Sequence, residues 1–422
     1  MNQMLALFRN PTFVKLFFAA FASQLGTVIG NMAFAFYLLD HYSSRPDLAS
    51  LAELMYALPT LVVFWLVGVL ADRLDRRFIA ANSDWIRAGL SGLLLLVVHQ
   101  DWLIAAFAIL FLRSAIAKFF GPAEMGLMQG SMKAEQYVHA AGLNQMLMGV
   151  FMLFGVSLGA TAYHFVGIEG AIIIDAMSFI LSGILILLCR FPQEVRLPNG
   201  KARMQDLRLR MILSDFLQGL RYILKRKLLL NLISGFLVFG VVNGVFAVLP
   251  IFTMKYKLSP DNYVLHSSFI TIFLGIGFLI GSVISPMFIK KFTKTNVLIT
   301  GLFLASILII ILGSVGHIWM YFPVVLITGI ILAPVNIVLG GWMPELVEPQ
   351  SMGRVNAWIE PIMMLGYSAA LGMISIAFPA WISITWLYYL LGFCMIGVSI
   401  YYWLTLPALT TKSQHIQDQA VG

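Results

Sequence analysis

Six side chains that ordinarily carry charge sit well in from the ends of long apolar stretches of this chain: Glu53, Asp84, Arg87, Arg113, Asp175 and Glu360. Placing one of them in hydrocarbon costs about 3 kcal/mol or more, so each needs an ion-pair partner or a role in moving protons or solutes. Spacing separates these readings. Asp84 and Arg87 are three residues apart, on one face of a helix, and can satisfy each other. Arg113 falls about eleven residues into its stretch, ~16 Å at 1.5 Å per residue, near the middle of a bilayer. There it can set the potential of a cavity, serve proton coupling or pair with a buried carboxylate. Asp175 can titrate or fix packing. Glu53 and Glu360 have no basic residue close by in sequence, which suits a carboxyl that exchanges protons. These two lead the proton-coupling candidates, with Arg113, Asp175 and Asp84 behind them.

Gln24, Asn31, Asn144, Asn243 and Asn336 add uncharged polar groups that either bond between helices or touch a solute. Met146, with Met148, Met152, Met363 and Met364, supplies either an adaptable apolar wall or ordinary packing. Pro59, Pro334 and Pro361 break helix hydrogen bonds and can open carbonyls to a cavity or simply kink the helix. Signatures of catalysis are missing: the 7 histidines form no H-E-x-x-H pair, and no G-x-x-x-x-G-K-S/T loop occurs. Cys189 and Cys394 both lie in apolar runs and build neither a disulfide framework nor a thiolate metal site. The chain is therefore expected to have no catalytic residues, no metal and no cofactor, and to draw its energy from an ion gradient.

The elements that position these residues follow from composition. AVILMFWYC residues make up 60% of the 422, and charged residues only 11%. So few charges cannot solvate a soluble surface, which excludes a soluble enzyme, a nucleic-acid-binding domain and a disordered chain. Cutting at charges and Gly/Pro clusters leaves twelve stretches long enough for a ~30 Å hydrocarbon core. They run near 14–39, 48–70, 78–98, 102–120, 140–163, 168–190, 228–253, 264–289, 296–315, 318–340, 355–377 and 381–405. The runs are continuous rather than alternating, which points to helices and not a barrel. With the N-terminus inside, 22 of the 27 Lys and Arg fall in cytoplasmic segments and three outside. That bias places both termini in the cytoplasm of a cell (inner or plasma) membrane and accounts for the net charge of +8 without nucleic acid.

The longest polar stretch, 191–227, divides the spans six and six, giving an N-terminal bundle over 1–190, a linker, and a C-terminal bundle with a short tail over 228–422. Within the linker, basic and apolar residues alternate at helical spacing, as in an amphipathic helix held near anionic lipid. The halves echo each other: Lys15 matches Lys227, Asn31 matches Asn243, and Glu135 matches Glu348, at offsets of 212 or 213. The expected fold is all-α, with twelve transmembrane helices in two similar six-helix bundles and a solute site between them.

The loop after the second span reads Gly68-Val-Leu-Ala-Asp72-Arg73-Leu-Asp75-Arg76-Arg77. It resembles the loop 2–3 signature of the major facilitator superfamily, G-x-L-a-D-r-x-x-R-R. Further stretches are similar to the branch that holds macrolide-efflux and enterobactin-export proteins. They are FLRSAIAKFFGPAEMG at 111–126, HAAGLNQ at 139–145, IDAMSF at 174–179, DFLQGLRYILKRK at 215–227 and VEPQSMGRVNA at 347–357. The resemblance implies a conformational latch of Gly68, Asp72, Arg76 and Arg77, in which Asp72 meets the start of the eleventh helix near Asn356. Arg76 would pair with an acid at the inner end of the fourth helix, here Glu124. In the second half Ile289 stands where the acid would be, so a single latch is expected. The family's antiporters often carry G-P-x-x-G-G in helix 5, where this chain reads Gly155-Val-Ser-Leu-Gly159-Ala160, which weighs against proton antiport without touching the fold. What the resemblance implies is a secondary transporter, not an enzyme. It would export amphipathic or hydrophobic small molecules by proton antiport with alternating access, working as a monomer among membrane lipids. A lipid or siderophore exporter of the same fold is the alternative within transport, and a membrane-embedded enzyme or receptor-like protein the alternative outside it.

Overall fold

The computed structural model describes residues 7–132, 137–197, 209–347 and 349–421. Side chains are described throughout except at 65, 68–73, 137–139, 141, 142, 145, 146, 148, 152, 209–216, 340, 341, 343–345, 349–354, 356, 357 and 408–421. Five long helices come first: α1 (Pro11–His41), α2 (Asp47–Arg73), α3 (Arg76–His99), α4 (Leu103–Gly130) and α5 (Tyr137–Leu187). A one-turn α6 (Gln193–Arg196) and the connector α7 (Leu209–Lys225) follow. The rest comprises α8 (Lys227–Thr253), which continues as a π-helical turn over Met254–Leu258, then α9 (Tyr263–Lys291), α10 (Lys294–Ser314), α11 (Ile318–Leu346), α12 (Pro349–Ala377) and α13 (Ile384–Val421). No strand occurs among the described residues.

Among the described residues, 10 helical stretches are long and apolar enough to cross a membrane. Two further rods complete the twelve expected. One is α3, whose hydropathy is lowered by Asn82, Asp84 and Arg87. The other arises because the 51-residue α5 breaks at Gly167. A φ of 67° there is left-handed, which glycine adopts freely, and it divides α5 into two arms. Helix starts follow local chemistry. Asn10 accepts from the amides of Thr12 and Phe13 at 3.0 and 3.3 Å, with Pro11 at the first helical position of α1. Asp75 does the same for Arg77 and Phe78 at 3.0 and 3.3 Å, starting α3.

The chain divides into two compact units, Met1–Ile212 and Leu213–Gly422, with the boundary inside α7. In the first, α1 packs on α5, α2 on α4, and α3 on both α4 and α5. In the second, α8 packs on α12 and α13, α9 on α11, and α10 on α11 and α13. This is one packing order written twice, in agreement with the repeat offset near 212. At the ends of the second unit exposed tryptophans mark the interfaces. Trp319 lies in the first turn of α11, Trp381 and Trp386 flank the start of α13, and Trp403 lies 17 residues further along α13, ~25 Å away at 1.5 Å per residue.

Without a hydrophobic drive between helices, close approach needs small residues. On α8, Gly240 and Gly244 stand one turn apart against the Met363 and Tyr367 carbonyls of α12. A methyl at Gly244 would meet the Tyr367 oxygen at 2.6 Å, a backbone atom that cannot step aside. Gly244→Ala is expected to cost about 1–3 kcal/mol by overpacking. Gly397→Ala, on a face of α13 with nothing within 4 Å, is expected to leave thermal unfolding unchanged. Equal melting temperatures for the two variants would contradict this account of the α8–α12 contact.

Candidate functional site

Three helices of the first unit present polar residues at helical spacing. These are Ser23, Thr27 and Asn31 on α1, Asp84, Arg87 and Ser91 on α3, and Asp175 and Ser182 on the second arm of α5, with the apolar Phe179 between the last two. Steps of three or four residues align each set on one face, and four residues separate adjacent layers by ~6 Å. Two buried layers result.

The first layer holds Arg113 of α4. Its Nη1 donates to an Asp175 carboxylate oxygen, forming a salt bridge, and to Ser91 Oγ at 3.2 Å; Nη2 donates to Asn31 Oδ1 at 2.7 Å. Ser91 Oγ in turn donates to Asp175 Oδ2 at 2.7 Å. Arg113 and Asp175 are both buried, at 4% and 0% exposure. Asp175 Oδ1 has no hydrogen-bond partner and lies against bare Gly30, where a Cβ would sit 3.3 Å from it. Tyr56 of α2 brings a buried hydroxyl, also unpartnered, within the fields of Arg113, Glu53 and Asp175. Five rods thus converge on one charge pair whose polar groups are incompletely used.

The second layer is an ion pair tied to α1, with Asp84 Oδ2 and Arg87 Nε buried and without a hydrogen-bond partner. Arg87 donates to Asp84 Oδ1 at 3.1 Å, to Ser23 Oγ at 3.0 Å and to Thr27 Oγ1 at 2.6 Å, and its guanidinium carbon stands 3.8 Å from the Phe179 ring centre. Ser23 Oγ also donates to Asp84 Oδ1 at 3.1 Å. The three-residue spacing read from sequence has formed its pair, and α1 completes it.

The remaining candidates scatter. Glu53 is half-buried one turn from Tyr56. Glu360 is exposed on α12, one residue before Pro361. Asn144, Asn243 and Asn336 are exposed, and the last two bond the carbonyls of Phe239 and Leu332 in their own helices at 2.9 and 3.1 Å. Gln24 is half-buried on α1. Asn31 and Asn243, equivalent in the repeat, therefore differ: one binds Arg113 and the other its own backbone. The second unit's buried polar chain is uncharged, running from Tyr321 to Tyr388 at 2.6 Å and on to Thr253 at 2.9 Å.

At the loop motif, Gly68, Asp72 and Asn356 lie outside the described side chains, as does Met146. Arg77 donates to the Leu187 carbonyl and Lys15 to that of Leu188 at 3.2 Å, so two cations cap the C-terminal end of α5. The Arg76 guanidinium lies over Gly126, where a Cβ would meet it at 2.7 Å. Glu124, two residues earlier, is buried with Oε1 unpartnered. Sequence reasoning passed over Asp75 and Arg196, which form a salt bridge here. Asp75 also caps α3, and the hydrogen bond to it raises the already high pKa of Arg196. It missed the hydroxyls of Ser23, Thr27 and Ser91 as well. Their spacing of four on α1, and of seven from Asp84 on α3, was the available signal.

Comparison with known proteins agrees with this architecture. The Major Facilitator Superfamily model matches residues 16–371. The MFS-type transporter YkuC of Bacillus subtilis is 49% identical over 414 residues, 98% of this chain and 96% of that one. Macrolide efflux protein A of Streptococcus pyogenes is 27% identical over 386 residues, 90% of this chain and 92% of that one. Among solved structures, a peptide transporter POT in complex with alafosfalin has a TM-score of 0.72 at 12% identity, covering 94% of both chains. The nucleoside transporter NupG has a TM-score of 0.68 at 14% identity, covering 94% of this chain and 100% of that one. A repeated all-helical fold, a charge pair buried among its helices and a family match over most of the sequence agree: this chain is a membrane transporter belonging to the major facilitator superfamily.

Proposed function

We propose that the protein exports amphipathic or hydrophobic small molecules, macrolide-like in character, by alternating access driven by inward proton flow. The observation that carries this reading is the Arg113–Asp175 layer. An ion pair buried in an apolar unit, with a free carboxylate oxygen and a free tyrosine hydroxyl beside it, is costly unless its charge balance is used. The similarity to macrolide efflux protein A supports the choice of substrate class and direction. We place both termini in the cytoplasm, in the cell membrane, and take the monomer as the working unit.

In this mechanism a proton taken up at Glu53 removes a negative charge near Tyr56 and Arg113, so Arg113 binds Asp175 more firmly. Loss of the proton loosens that hold. The two protonation states therefore favour different arrangements of α2, α4 and α5, and only such a differential can shift the facing of the transporter. Glu360 is the second candidate. Glu360 is exposed two residues inside the apolar span Trp358–Ala377, near its end, where a carboxylate is tolerated against water and not against lipid, which is compatible with an aqueous lining for that face of α12. Asn144, Asn243 and Asn336 would share that lining with Met146, and Asn31 and Gln24 would contribute from α1. Asp72, held by Gly68 and supported by Arg76, Arg77 and Glu124, would latch near Asn356 in one facing.

The test is transport into proteoliposomes under an imposed pH gradient. One proton moving down one pH unit supplies about 1.4 kcal/mol, or about tenfold accumulation per unit of gradient. Wild type is expected to accumulate a macrolide uphill and to lose that on adding a protonophore. Glu53→Gln or Glu360→Gln is expected to keep downhill exchange and lose the gradient response. Uphill transport that survives collapse of the gradient would rule out proton coupling, and wild-type behaviour in both variants and in Arg113→Ala would rule out these residues.

A further inference from the structure

The connector α7 has three distinct faces where its side chains are described. Gly219 and Ile223, four residues apart, are buried against the protein. Leu217 and Leu224, seven apart and so on one side, are 48% and 54% exposed. Arg221 and Lys225, four and eight residues beyond Leu217, stand exposed along the edge of that leucine face, and Lys227 is exposed where α8 begins. Arg226, in the middle of the basic run, turns the other way. Its guanidinium stacks 4.3 Å over the Tyr222 ring and donates to the Leu346 carbonyl at the end of α11 at 3.1 Å. The run is thus split, one cation fixing α7 to the protein and its two neighbours left outward. No Asp or Glu occurs in sequence between Asp215 and Asp261, so the outward charges have no acidic neighbour along the chain.

We propose that this face of α7 docks on anionic phospholipid headgroups of the cytoplasmic leaflet, with Leu217 and Leu224 entering the acyl boundary while Arg221, Lys225 and Lys227 bind the phosphates. The leaflet assignment rests on the orientation given under Proposed function; the lipid chemistry rests on the face itself. Apolar residues beside exposed cations match the interface of an anionic monolayer, where apolar burial and charge attraction add. A neutral bilayer would take up the leucines and leave the cations unanswered.

Titration of the purified full chain with short-chain phosphatidylglycerol and short-chain phosphatidylcholine, read by thermal unfolding, tests this. Each basic group near an anionic surface contributes about fivefold, so Arg221→Gln, Lys225→Gln and Lys227→Gln together are expected to weaken phosphatidylglycerol binding roughly a hundredfold. The melting temperature without lipid and the response to phosphatidylcholine are expected to stay as in wild type. Leu217→Ser with Leu224→Ser is expected to weaken both lipids. Glycerol 3-phosphate, which lacks chains, is expected to compete poorly. Equal affinity for the two lipids in wild type overturns the proposal, as does an unchanged affinity in the triple variant; either result leaves the face to a soluble acidic partner. Effective competition by glycerol 3-phosphate also overturns it, since the apolar face would then be idle. The leaflet is tested separately by labelling Lys225→Cys, in a chain lacking the two native cysteines, with an impermeant maleimide. Labelling only from the outer side, with the lipid preference intact, overturns the orientation and spares the lipid-binding face.

Discussion

Arg113→Leu is expected to destabilise the first unit by about 3–5 kcal/mol and to abolish gradient-driven transport, and adding Asp175→Leu is expected to restore most of the stability and none of the transport. The single variant leaves Asp175 fully buried with its charge stranded. Asn31 and Ser91 then offer it one hydroxyl and a misplaced amide, since the guanidinium that organised both is gone. A buried carboxylate without a cation is far more costly than the ion pair it came from, so removing both charges is milder than removing one. For a unit of this size the loss corresponds to a fall in melting temperature on the order of 10 °C. The functional half follows from a different cause. If the pair only packed helices, an apolar replacement of similar volume would transport normally. If its charge balance reports protonation at Glu53, no apolar pair can replace it. Thermal unfolding and proteoliposome uptake, measured on the single and double variants together, separate the two. Recovery of uphill transport in the double variant would reduce Arg113 and Asp175 to packing residues.

The rods were legible because their cause is local. Twenty apolar residues between polar turns make a membrane helix whatever their neighbours are, and the repeat offset near 212 reappears as the same packing order in both units. Even the exception was chemical: α3 is the least apolar of the rods because it carries Asp84 and Arg87. The Asp84–Arg87 pair was legible for the same reason, being three residues apart on one helix. Arg113 and Asp175 are 62 residues apart, and their pairing depends on how α4 meets the second arm of α5, which periodicity does not state. Each was visible as a costly intramembrane charge, but not as the other's partner. The loop motif shows a second limit. Arg77 and Asp75 are two residues apart in a charged turn, yet one caps the end of α5 and the other starts α3 and holds Arg196. Only the packed ends of distant helices distinguish these uses.

Asp84 and Arg87 make the matching case, with the opposite functional outcome. Arg87→Met alone is expected to cost about 3–5 kcal/mol, because it strands a buried carboxylate as Arg113→Leu does in the first layer, whereas Arg87→Met with Asp84→Leu is expected to regain most of that and to transport uphill like wild type. The reason lies in how the second layer holds Arg87 in place, although Asp84 Oδ2 and Arg87 Nε make no hydrogen bond. Arg87 is held by Asp84, Ser23 and Thr27 and stacked on Phe179, so four groups on three helices fix one side chain in one place. A methionine of similar length can fill the slot against Phe179, and a leucine the space of the carboxylate, while the hydroxyls of Ser23 and Thr27 turn to the carbonyls of their own helix. Thr27 already makes that bond, to the Ser23 carbonyl at 2.7 Å. What the substitution removes is a fixed dipole about one helical turn from Arg113, near enough to shift the pH dependence of transport slightly and too rigid to take part in switching. Uptake against pH, measured on the double variant, should therefore keep its shape. If uphill transport disappears while the melting temperature recovers, the two layers act as one four-charge chain, and coupling extends from Asp84 through Arg87 and Asp175 to Arg113.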